Sequence, residues 1–169
     1  VVDKLSAARV HTVLDYAAEA QNTEAGFDAV QDEILRNIET ARETKAFSFI
    51  SIKLTGICCN DVFEKLHNQE GLTPEEQSAF ERTERRLDSI CKATADAGMT
   101  VYIDAEECWL QAPMDELAEK MMRRYNTQRA VVYNTLQMYR TDRVAYLRAC
   151  LERFKGEQVT LGIKLVRGA

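Results

Sequence analysis

Two hydrophobic periods alternate along the chain. Residues 10–18 (VHTVLDYAA), 47–54 (FSFISIKL), 99–103 (MTVYI), 130–135 (AVVYNT) and 159–166 (VTLGIKLV) are short runs rich in β-branched and aromatic residues, and they predict five strands. Between them the apolar positions fall three or four apart. After Asn22-Thr23, a plausible cap, Phe27, Val30, Ile34, Ile38 and Ala41 form one stripe, with Asp, Glu and Arg filling the other face, which predicts an amphipathic helix. Thr73-Pro74-Glu75-Glu76 has the form of a capping box with proline at the first helical position. Phe80, Leu87, Ile90, Cys91, Thr94 and Ala97 then supply the buried stripe, and Gly98 a left-handed stop. Pro113 is expected to open a further helix with Met114, Leu117, Met121 and Tyr125 inward. Val144, Leu147, Leu151 and Phe154 mark another before Gly156. The longer stretch 55–72 is expected to hold a short extra helix over 61–67 and a polar bend at 68–71.

Strands that alternate with helices predict a parallel sheet, because each right-handed crossover needs a covering helix. The expectation is therefore an α/β fold in one domain over residues 1–169, with no internal boundary, linker or close repeat.

Composition narrows the function classes. A length of 169 residues, 46% of them hydrophobic and 29% charged, suits ordinary globular material. The net charge of −5 argues against a general grip on nucleic-acid phosphates. No apolar run approaches the roughly 20 residues that span a bilayer, and the first residues lack the pattern of a secretion signal. Five scattered cysteines and only two histidines, with no C-x-x-C pair, fit reduced thiols in an intracellular protein and predict no metal site.

In parallel α/β folds ligands bind beyond the carboxyl ends of the strands, and those ends are heavily charged here. Strand one ends near Asp15 and Glu19, strand two at Lys53, strand three at Asp104 to Glu107, strand four at Asn134 to Gln137, and strand five at Lys164 with Arg167. Lys53 lies in an apolar run, so its ammonium must be paired or used. It could anchor a substrate carboxylate, form a Schiff base, or simply pair with Asp15 or Asp104. Asp104 and Glu106 are two apart and point the same way on an extended chain; they could orient cations or act as acid and base. Glu107 has the opposite parity and is expected in solvent. Lys164 and Arg167 also differ in parity, so a straight strand turns only one of them inward. Gln137 both donates and accepts, which suits the edge of a heterocycle. His11 and His67 are isolated and carry no assignment. No G-x-G-x-x-G, Walker loop or G-x-S-x-G occurs.

Ser51-Ile52-Lys53-Leu54, Ile103-Asp104-Ala105-Glu106-Glu107, Tyr133 to Tyr139 (YNTLQMY) and Lys164-Leu165-Val166-Arg167-Gly168-Ala169 follow one another at βα spacing. In that order they resemble the strand-end motifs of the proline dehydrogenase family, and Val13-Leu14-Asp15-Tyr16-Ala17 resembles its first strand. The resemblance implies a (β/α)₈ TIM-type barrel, of which this chain would cover about the first five strands. It implies bound FAD and oxidation of L-proline to Δ¹-pyrroline-5-carboxylate by hydride transfer to the flavin, with a membrane quinone as onward acceptor. The setting it implies is the bacterial cytoplasm, at the inner membrane through peripheral association, or else the mitochondrion. By the same resemblance Lys53, Asp104 and Glu106 are expected around the substrate, and Gln137, Lys164 and Arg167 around the flavin. Lys164 stands where many members have arginine, and Arg167 where many have lysine.

Two expectations compete with this one: a Schiff-base lyase or aldolase working through Lys53 or Lys164, and a non-catalytic scaffold with a degenerate site. A third concerns the chain itself. Family members continue beyond this point to an arginine pair that grips the substrate carboxylate, so the isolated chain is expected to bind FAD poorly and to lack turnover.

Overall fold

The structure is a computed structural model that describes residues 4–5, 8, 10, 12–15, 21–44 and 47–168. Its elements in chain order are β1 (Thr12–Asp15), α1 (Glu24–Thr44), β2 (Phe47–Ile52), α2 (Asn60–His67), α3 (Pro74–Asp96), β3 (Thr100–Ile103), α4 (Gln111–Tyr125), β4 (Val132–Gln137), α5 (Arg143–Phe154) and β5 (Ile163–Val166). One-turn 3₁₀ helices follow β2 at Leu54–Gly56 and precede α4 at Cys108–Leu110.

The five strands lie in the order β1-β2-β3-β4-β5, and each neighbouring pair is parallel. A doubly wound sheet reverses direction partway; this one never does. Right-handed crossovers that always advance the same way place every helix on one face. The opposite face is left for the interior, which is the wall of a (β/α)₈ barrel. Along the strands, Ile50, Ile52, Val101, Ile103, Val132 and Leu136 are buried among the core residues on the helix side. The alternate residues Phe49, Ser51, Tyr102, Tyr133 and Thr135 face the interior.

Local sequence accounts for the helix ends. Thr23 begins α1 by accepting from the Gly26 amide, and its stripe of Phe27, Val30, Ile34, Ile38 and Ala41 is wholly buried, packed on α3 and β2. Burial of each of the four larger side chains in this stripe stabilises the fold by about 2 kcal/mol. At α3 the Thr73 hydroxyl accepts from the Glu76 amide while the Glu76 carboxylate accepts from the Thr73 amide, so the capping box forms in both directions. Gly98, at φ +70°, makes the turn into β3.

The structure corrects several boundaries. β2 stops at Ile52 because Leu54 enters the 3₁₀ turn. β4 runs on to Gln137, and β5 begins only at Ile163. Pro113 lies in the third position of α4 rather than the first, where the missing N–H is still one of the unsatisfied ones. The inward face of α5 is also not the expected apolar stripe. Val144 and Leu151 are 47% and 53% exposed; Phe154 is buried as expected, but its buried companions are Arg143 and Cys150. The helix is rotated because Arg143 is drawn inward by Asp115 on α4.

Gly162 is required by close approach. A Cβ there would lie 2.3 Å from the Val132 carbonyl oxygen and 3.1 Å from the Tyr133 ring, so only glycine lets β5 enter beside β4.

Candidate functional site

The parallel register sets Ser51 opposite Tyr102, Tyr102 opposite Tyr133, and Thr135 opposite Lys164. Side chains two residues farther along project the same way. Lys53, Asp104, Thr135 and Lys164 therefore form one polar row across the carboxyl ends of four strands. The ladder reaches this level between β2 and β3, where the Asp104 amide donates to the Ile52 carbonyl at 2.9 Å.

Asp104 is the centre of the row. Its Oδ1 accepts from Lys164 Nζ at 2.6 Å and from the Thr135 hydroxyl at 3.4 Å, and its Oδ2 accepts from the Ser51 hydroxyl at 2.6 Å. Charge-assisted bonds of this kind are the stronger ones. Below the row lies an aromatic floor. Phe49 and Tyr102 stack at 5.3 Å with an interplanar angle of 8°, and Tyr133 meets Tyr102 edge-on at 5.4 Å. Lys164 Nζ sits 5.2 Å from the Tyr102 ring centroid, within cation–π range. Burial, with Tyr133 adding to it, pushes the Tyr102 phenol up.

Glu106 ties the strand ends together. Its carboxylate accepts the Thr55 amide at 3.1 Å and also the Thr55 hydroxyl. Its own carbonyl accepts Gln137 Nε2 at 2.8 Å. Burial pushes the Glu106 carboxyl up, opposed by the Thr55 hydrogen bonds and by the charge of Lys53.

Lys53, Asp104, Gln137 and Lys164 line one pocket of about 200 Å³, with Tyr139 at its edge. Lys53 also lines an adjoining pocket of about 300 Å³ with Thr55 and Glu106. Glu107 is exposed. Arg167 is not brought into the cluster: it is exposed and makes no hydrogen bond or ion pair among the described residues, so β5 turns Lys164 inward. Asp15 ends β1, but its side chain, like Glu19 and His11, lies outside the described residues. His67 Nδ1 accepts the Ala112 amide, a structural role. Sequence reasoning passed over Ser51, Tyr102, Thr135 and Thr55. Counting back two residues from Lys53, Asp104 and Gln137 would have found the first three.

A larger concavity, about 670 Å³, lies on the helix side between α4 and α5. There buried Asp115 accepts from Arg143 at 2.7 Å, Asn134 at 2.8 Å and Gln111 at 2.9 Å. The other cations around it are spent on Asp142, Glu119 and Glu157, so it reads as an ion-pair network. Among the described residues no group of three or more His, Cys, Asp or Glu is placed to hold a metal ion, and no helix is long and apolar enough to cross a membrane. All five cysteines are unpaired.

A family model described as proline dehydrogenase matches residues 1–169. The carbapenem antibiotics biosynthesis protein CarD of Pectobacterium carotovorum subsp. carotovorum is 32% identical over 165 residues, which is 98% of this chain and 44% of that protein. Mitochondrial proline dehydrogenase 1 of Drosophila melanogaster is 37% identical over 98 residues, 58% of this chain and 14% of its own length. Among solved structures, proline utilization A from Bdellovibrio bacteriovorus, inactivated by N-propargylglycine, superposes with a TM-score of 0.78 at 14% identity. The match covers 99% of this chain and 19% of that one. Proline utilization A from Corynebacterium freiburgense gives a TM-score of 0.76 at 16% identity, over 99% and 17% of the two chains. The chain thus spans less than half the length of these relatives. These structures share the fold of this sheet, and with the family match along its whole length, the chain belongs to the proline dehydrogenase family.

Proposed function

We propose that the protein carrying this chain oxidises L-proline to Δ¹-pyrroline-5-carboxylate, with FAD as the electron acceptor. The observation that carries this reading is the convergence of Lys53, Asp104, Gln137 and Lys164 on one pocket at the strand ends. The donor set fits a flavin ring edge on chemical grounds. Lys164 brings a fixed positive charge, and Gln137 brings an amide with both donor and acceptor capacity. The stacked rings of Phe49 and Tyr102 lie one layer down the same strands, and Lys164 Nζ sits over the Tyr102 ring.

When bound, FAD supplies the two-electron acceptor for a hydride leaving the substrate ring carbon bonded to nitrogen, while the nitrogen gives up a proton and a C=N bond forms. The residues of this chain do the rest. Lys53 is the point cation for the substrate carboxylate. Asp104, fixed by Ser51 and Thr135, holds the Lys164 ammonium in the pocket, where it would offset negative charge on a bound ring. We assign the onward acceptor as a membrane quinone reached by peripheral association. The Drosophila, Dictyostelium and Arabidopsis relatives are named as mitochondrial; a bacterial protein would work at the inner face of the cytoplasmic membrane.

The geometry weighs against the Schiff-base reading at Lys164, which Asp104 engages as an ammonium, because carbonyl attack needs a free amine lone pair. The test is optical. The protein carrying this chain should bind FAD and lose its visible flavin band when L-proline is added without an acceptor. Borohydride trapping of a carbonyl compound on Lys53 or Lys164, with no flavin bound, would overturn the proposal.

A further inference from the structure

Gln137 is useful to a ring only if its amide presents a fixed sequence of donor and acceptor, and a terminal amide otherwise rotates between two faces of similar size. Here the ambiguity is resolved by chemistry. The atom facing Gln137 is the Glu106 carbonyl oxygen, which can only accept, so the NH₂ end must point to it. One N–H and the carbonyl oxygen of the amide remain. Arg140 approaches that oxygen at 3.5 Å, a long contact, while its guanidinium is committed to Asp142.

The position of the Glu106 carbonyl depends on the loop after β3, residues 104–107, which is not part of any helix or strand. Asp104 ties the start of that loop to β2, β4 and β5, and the Glu106 side chain holds the part that carries the carbonyl. Both of its carboxylate oxygens are taken by Thr55, one by the amide and one by the hydroxyl. Thr55 is itself 7% exposed and sits in the one-turn 3₁₀ helix directly after β2, beside Lys53. With one contact to each oxygen, the carboxylate is tied to the turn after β2.

We infer that Thr55 is a positioning residue for the cofactor: through Glu106 it fixes the Gln137 amide, and so sets which hydrogen-bonding edge of a planar heterocycle β4 can meet. Glu106 is then a link in this chain of contacts rather than an acid or base. The inference deepens the flavin reading above and rests on it for the identity of the heterocycle, but the link from Thr55 to Gln137 stands without any ligand.

The test uses Thr55→Val, which keeps the shape and the amide but removes the hydroxyl, and Thr55→Ser, which restores it. In the flavin-free protein, nitrogen-15 NMR should show the Gln137 side-chain NH₂ exchanging about five-fold faster in the valine variant, as expected for losing one net hydrogen bond, and near the parent rate in the serine variant. FAD should bind about five-fold more weakly to the valine variant and normally to the serine variant, on the same hydrogen-bond scale. Glu106→Met, which keeps the chain length but removes both oxygens that accept from Thr55, should reproduce both effects and serves if the valine variant does not fold. Unchanged Gln137 exchange in both Thr55→Val and Glu106→Met would overturn the inference, whatever happens to melting temperature. If exchange responds as stated but no variant or parent protein binds FAD, the positioning link holds and the flavin reading falls.

Discussion

Lys164 on β5 and Asp104, the residue just after β3, are 60 residues apart in sequence and meet at 2.6 Å across β4. The pair is partly open, with side-chain exposures of 32% and 20%. It therefore works mainly by fixing the place of a charge and only secondarily by stabilising the fold. A double-mutant cycle with Asp104→Asn and Lys164→Met should give a coupling of about 1 kcal/mol in unfolding free energy. The same cycle read on FAD affinity should give a larger coupling, because the ligand shields the pair from water. Equal couplings in the two measurements would argue against a cofactor role for Lys164.

Gly162→Ala should be strongly destabilising. The added Cβ would meet a backbone oxygen at 2.3 Å, and backbone cannot swing aside as a side-chain tip can. A loss of about 3 kcal/mol is expected, at the upper end for single substitutions. The urea midpoint of the variant measures it.

Arg143→Met should be equally costly for a different reason. The substitution leaves Asp115 buried with its two amide donors but no countercharge. Breaking a buried pair from one side costs about 3–5 kcal/mol. Pairing the change with Asp115→Leu should recover much of that loss, and failure to recover would mean that Asp115 serves Asn134 and Gln111 more than Arg143.

Acid should weaken the contact between α1 and α3 in a defined window. Hydrogen bonds from Arg82 and then Arg86 hold the Glu24 carboxyl at about 2, below its ordinary 4.5. A depressed folded value means that the stabilisation is complete above about 4.5 and disappears as the pH falls toward 2. Denaturation profiles of the parent protein and Glu24→Gln should differ at pH 6 and converge near pH 2. Curves that stay parallel would show that the pair contributes nothing to stability.

The architecture was legible because period-2 and period-3.6 patterns alternate without conflict, and because Thr73, Pro74 and Gly98 mark where α3 begins and ends. Strand parity also foresaw that Lys164 and Arg167 would separate. The sequence did not reveal the inward turn of α5. Val144 and Leu151 look like a core stripe, and Arg143 looks like surface, until Asp115 is known to wait on α4. Nor did it reveal the place of Glu106. Its spacing from Asp104 suggests a paired acid and base, but the partner that decides its behaviour is a threonine 51 residues upstream. Interactions of that kind depend on how strand ends abut, which local patterns do not encode.

The Glu106 clasp has two halves of different durability. Its carboxylate half is written in a side chain and disappears with a single codon change, whereas the oxygen offered to Gln137 belongs to the peptide backbone and outlasts every substitution at that position. Drift at Glu106 would shift the glutamine's anchor without deleting it. Relatives with another residue there can thus be expected to keep the glutamine and to differ in how tightly, more than in whether, the ring edge is read.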